Sequence, residues 1–69
     1  MSLKYIRDRY GVPATVGQRV VYSGSTDGIP RHGTIVGARG PYLVVEMDES
    51  EFANYYHSTW MMQYVKEDQ

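Results

Sequence analysis

Short apolar runs rich in Val, Ile and Tyr, closed off by glycine and proline, set the pattern of this chain. Residues 19–23, 33–38 and 42–48 read as strands, with a fourth near 54–57 and a fifth around 62–65. Turn signals separate them at 11–13, 16–18, 23–30 and 39–41, where Gly11, Pro13, Gly17, Gly24, Gly28, Pro30, Gly40 and Pro41 fall. Alternate strand residues point to opposite faces. That assigns Val20, Tyr22, Ile35, Leu43, Val45 and Met47 to an interior and leaves Glu46 and Asp48 in water. Gly37, inside a strand, predicts a bulge or sharp bend, and Gly33 a close crossing of strands. Residues 4–10 have room for one helical turn before Gly11 and Pro13 stop it, and 58–61 suit a 3₁₀ turn. The expected fold is all-β: a small five-stranded barrel with short 3₁₀ turns. It forms one domain over 1–69, with an N-terminal arm at 1–12 and the barrel at 16–65.

The same alternation turns Val21, Val36, Tyr42 and Val44 outward, more apolar than a half-solvated sheet requires. A cover is expected for this patch. It comes either from the chain itself, through Tyr5, Ile6 and Tyr10 or through Trp60 and Met61, or from a partner or a second copy.

Composition narrows the setting. The 69 residues hold no cysteine, so no disulfide framework forms, which fits a cytoplasmic location. No run approaches the roughly 20 apolar residues of a membrane span, and no apolar segment of a secretory signal opens the chain; residues 1–3 resemble a short leader. Net charge is −1, yet residues 1–45 carry +4 and residues 46–69 carry −5. Such asymmetry can mark an interaction face, although strands interleave the two halves in space. The seven tyrosines against one Phe and one Trp suit rings that are half-buried in a thin core or offered to a partner.

The chain carries none of the usual catalytic signatures. There is no Gly-x-Ser-x-Gly elbow, and His57 beside Ser58, with Asp48, makes a poor triad. His32 and His57 lie too far apart for a metal-ligand spacing, and the acids Glu46, Asp48, Glu49 and Glu51 read as a solvated turn. The glycines match no phosphate cradle. The expectation is a non-enzymatic binding module without metal, cofactor, small-molecule substrate or membrane attachment. Its interaction patch would be Val21, Val36, Tyr42 and Val44 with Trp60, and its partner a protein or a second copy of itself, as a homodimer. Trp60 is either a plug for one barrel end, with His57 held by a backbone partner, or an exposed aromatic anchor. The alternative is nucleic acid: Arg7, Arg9, Arg19 and Arg39 on phosphates, with Tyr5 and Tyr10 stacking on bases. Arg31, Tyr22 and Tyr42 add to the same ingredients. The sequence pI near 6.0 argues against a dedicated nucleic-acid binder.

Residues 16–22, 33–37 and 42–48, with their glycine turn, Val-rich strands and Val-Glu-Met-Asp ending, resemble the core of KOW-type and related SH3-like barrels. That likeness implies an SH3-like five-stranded barrel and RNA, ribosome or polymerase contact. Residues 5–8, 10–14, 33–38 and the Tyr56-His57-Ser58-Thr59-Trp60 segment are also similar to small uncharacterised phage and prophage proteins. This second likeness implies phage origin and a host cytoplasm, and brings no catalytic residues.

Overall fold

In a computed structural model, which describes residues 2–65, the first element is a helix. Helix α1 (Leu3–Tyr10) is capped at both ends by local chemistry. The Ser2 hydroxyl accepts from the Tyr5 N–H at 3.3 Å, and Gly11 adopts the left-handed conformation (φ 67°) while its N–H donates to the Arg7 carbonyl at 2.9 Å. Gly11 therefore ends the helix as expected, but two turns precede it rather than one. Leu3, Ile6 and Tyr10 fall on one stripe, and Ile6 is fully buried. The 1–12 arm is thus part of the core over its described residues, and the fold is mostly β rather than all-β.

Five antiparallel strands follow: β1 (Arg19–Tyr22), β2 (Arg31–Arg39), β3 (Tyr42–Met47), β4 (Ala53–His57) and β5 (Met62–Tyr64). They form one sheet in the order β4-β3-β2-β1-β5. β4 and β5 stand at its two edges and are not paired with each other among the described residues, so the sheet is open and not a closed barrel. The register of β2 on β3 slips between Ile35 and Gly37, which is the bulge that Gly37 predicts. Residues 58–61 make a run of bends, not the 3₁₀ turn expected there.

Val20, Ile35, Leu43, Val45 and Met47 are buried as the alternation requires, and Tyr22 packs against them half-buried. Ile6, Ala14 and Met62 complete the core from outside the three best-marked strands. Arg7 fastens the helix to this core by donating from Nη1 to the Ala14 carbonyl at 2.8 Å.

One buried group is unsatisfied. Ser58 is fully buried, and its hydroxyl has no hydrogen-bond partner among the described residues. An orphaned buried hydroxyl costs about 1–3 kcal/mol. Ser58→Ala is therefore expected to raise the urea midpoint, by about 1 kcal/mol of stability after the small loss of packing. A lowered midpoint would show that the hydroxyl has a partner in solution.

Candidate binding site

Tyr42 opens β3 and His57 closes β4, and the two are cross-strand partners. Their rings meet edge to face, with centroids 6.3 Å apart. Tyr10, from the end of α1, backs the same imidazole at 5.1 Å. Thr59 donates its N–H to His57 Nδ1 at 3.2 Å, which is the backbone partner expected for this histidine. Together Tyr42, His57, Thr59 and Trp60 line an open cleft of about 450 Å³.

Trp60 does not plug the end of the core. It lies tilted on Tyr22 (5.9 Å), which itself stands edge-on to Tyr56 (4.8 Å). Gly24 provides the seat. A Cβ there would lie 2.5 Å from the Tyr22 hydroxyl and 2.6 Å from Trp60 Cζ3. The bend bearing the indole is tied down on both sides. Tyr64 donates its hydroxyl to the Ser58 carbonyl at 2.7 Å, and the Ser23 N–H donates to the Met61 carbonyl at 2.9 Å. Met61 is the one non-glycine with positive φ (54°) among the described residues, a conformation that needs such support. Even so, Trp60 remains 56% exposed. The ring is held in place and left open.

Burial pushes the Tyr64 hydroxyl up to about 12. Below the ordinary tyrosine value of 10.0 both folded and unfolded chains keep this proton, so the stabilisation is whole. Above it the unfolded chain ionises first, and the stabilisation is lost as pH rises toward the folded value. Tyr56 is raised in the same direction, by burial first and then by Tyr22. The denaturant midpoint is expected to hold until about pH 10 and to fall through about pH 12, with a shallower fall in Tyr64→Phe. Equal slopes in the two proteins would remove Tyr64 from this account.

The expected outward patch divides. Val21 is half-buried between His32 and Gln63, far along the strands from Tyr42. Val44 is half-buried between Gly37 and Tyr55, while Val36, at the bulge, is exposed. Among the residues expected as a cover, Ile6 is buried in the core and Trp60 sits on Tyr22. Of the five patch residues, the cleft brings together Tyr42 and Trp60.

The arginines divide as well. Arg19 grips Asp48 through both guanidinium nitrogens (2.8 and 2.5 Å) and donates to Thr34 Oγ1 at 2.7 Å. This pairing holds the Asp48 carboxyl below the usual range. Arg31 bridges Asp27 and Glu49. Arg7 is spent on Ala14, and Tyr5 lies on the exposed side of α1 beside the Lys4–Asp8 pair. Arg9 and Arg39 remain. Both are exposed, and neither meets a carboxylate among the described residues. Arg9 rests over the Tyr10 ring at 5.7 Å, and Arg39 is the cross-strand partner of Tyr42. Asp48, taken up by Arg19, and the buried Ser58 hydroxyl form no relay with His57.

No known protein family, curated protein or solved structure matches the chain.

Proposed function

We propose that this chain is a non-enzymatic protein-binding module of SH3-like architecture, with the Tyr42–His57–Thr59–Trp60 cleft as its contact. The strand order supports the architecture: a five-stranded meander whose last strand returns to the free edge of β1 is the plan of such barrels, here left open. The observation that carries the function is Trp60. An indole that is more than half exposed, yet seated on Tyr22 by Gly24 and fixed by a hydrogen-bonded bend, has already lost the freedom that binding would otherwise remove. Trp, Tyr and Arg are the residues that dominate protein contacts; the cleft holds the first two, and Arg39 is the cross-strand partner of its Tyr42. Nucleic acid fits less well, because Arg7 and Arg19, half of the expected phosphate contacts, are engaged inside the molecule.

Affinity selection from a random-peptide library tests this reading. Peptides should enrich on the wild-type chain and lose about tenfold or more in affinity on folded Tyr42→Ala and Trp60→Ala proteins, in keeping with hot-spot losses of about 2 kcal/mol. Trp60 is the only tryptophan, so its fluorescence reports occupancy directly. Enrichment that ignores both substitutions would place the contact elsewhere.

A further inference from the structure

We infer that the segment this cleft receives is acidic: an extended peptide carrying one or two carboxylates beside an apolar or aromatic side chain. The inference rests on the protein-binding reading and names the chemistry of its partner. Its basis is the placement of charge. The described arginines nearest the acidic turn are neutralised within the fold, Arg19 by Asp48 and Arg31 by Asp27 and Glu49. Of the three that meet no carboxylate, Arg7 donates to the Ala14 carbonyl, and the other two stand by the rings at the cleft, Arg39 as the cross-strand partner of Tyr42 and Arg9 over Tyr10. None of the residues lining the cleft is acidic. Strand β3 separates the two ends, with Tyr42 at one and Asp48 just past the other, a span of roughly 20 Å at the usual strand rise. The separation of Tyr42 from Asp48 exceeds the screening length of about 8 Å at physiological salt, so the acidic turn does not cancel Arg39 beside Tyr42.

The same arrangement disfavours a polynucleotide. A nucleic-acid strand brings a phosphate with every residue. Two arginines can neutralise only a short stretch, and further phosphates along the sheet would approach exposed Glu46, Glu49 and Glu51. A peptide with one or two carboxylates matches the two arginines beside the rings, Arg9 and Arg39. Its apolar side chain would lie against Trp60 and Tyr42, where ring contact supplies affinity while the arginines supply orientation and rate of encounter.

The experiment extends the library selection to Arg39→Glu, with an oligothymidylate arm run in parallel. Peptides enriched on the wild-type chain should be rich in Asp and Glu. A synthetic copy of the best of them should lose about tenfold in affinity on Arg39→Glu, and a similar factor when its own Glu residues become Gln. Raised salt should weaken it. Selection on Arg39→Glu should shift toward Lys and Arg. Peptides that need Tyr42 and Trp60 but show no acidic bias would overturn this inference and leave the binding reading standing. Oligothymidylate binding that depends on Arg39 and Tyr42, with no peptide enriched, would overturn both. So would a selection that enriches nothing on the wild-type chain.

Discussion

Ile6→Ala is expected to leave a chain that is largely unfolded at 37 °C. The side chain is fully buried, in the same cluster as Val20, Ile35, Leu43 and Val45. Truncating a buried isoleucine to alanine costs about 2–5 kcal/mol. A 69-residue domain holds in total about 3–10 kcal/mol. The upper part of the first range therefore matches or exceeds the lower part of the second, where a domain with so small a core is expected to lie. A surface change on the same helix, Lys4→Ala, removes only an exposed pair with Asp8 and should leave the midpoint close to that of wild type. If Ile6→Ala proves too unstable to measure, Ile6→Val gives a graded reading of about 0.5–1.5 kcal/mol. Circular dichroism with urea titration checks all three. An Ile6→Ala midpoint equal to that of wild type would mean that α1 rests on the sheet without sharing its core.

That result would also mark where the sequence ceased to be legible. The first three strands are readable because alternate positions are apolar and each ends on glycine, proline or a polar turn, so Val20, Ile35, Leu43, Val45 and Met47 fall inside. The helix was present in the sequence too. Ser2 caps it, Gly11 closes it, and Leu3, Ile6 and Tyr10 stand three and four apart. Two turns give too few periods for that stripe to outweigh a glycine and a proline immediately downstream. The site was legible in its parts and not in its assembly. Trp60 and Tyr42 drew notice as aromatics, but what joins them is long-range: the pairing of Tyr42 with His57, and the seat made at Gly24. Arg19 meets Asp48 across 29 positions, a distance no local pattern reports. Four arginines therefore looked alike in the sequence, and only register and helix position separate Arg9 and Arg39 from Arg7 and Arg19.

Charge thus differs between the two ends of β3. At the acidic end, arginines and carboxylates cancel across β1, β2 and the turn after β3. At the other end the β2–β3 hairpin turns at Gly40 and Pro41 and delivers Arg39 and Tyr42 side by side, with the 58–61 bend opposite. The rigid part of the molecule carries both. A cleft whose walls are anchored to the core through Tyr22, Tyr64 and Tyr10 keeps its shape only while that core is intact.

Gly33→Ala tests that dependence through the sheet itself. Gly33 is buried in β2, opposite Met47 on β3 and Val20 on β1. A Cβ at this position would stand 2.8 Å from both Met47 Sδ and Val45 Cγ1, and 3.0 Å from the Glu46 carbonyl oxygen. The methionine can swing aside. The carbonyl belongs to the β3 backbone and cannot move without disturbing the ladder, and Val45 is fully buried with its χ1 restricted. Overpacking of this kind costs about 1–3 kcal/mol, and Gly33→Val should exceed that and prevent folding. Gly37→Ala, in the same strand, provides the contrast. Its added Cβ meets nothing within 4 Å and its φ is not positive. That substitution should be neutral or stabilise by about 0.4–1 kcal/mol through the entropy of the unfolded chain. Urea midpoints decide the matter, and the quantity that counts is the difference between the two alanine variants. If Gly33→Ala and Gly37→Ala fall together, β2 and β3 do not approach as closely at Gly33 as described. If they separate as expected, the loss at Gly33 should also loosen Tyr42 at the far end of β3, seen as a weaker response of Trp60 fluorescence to the selected peptides.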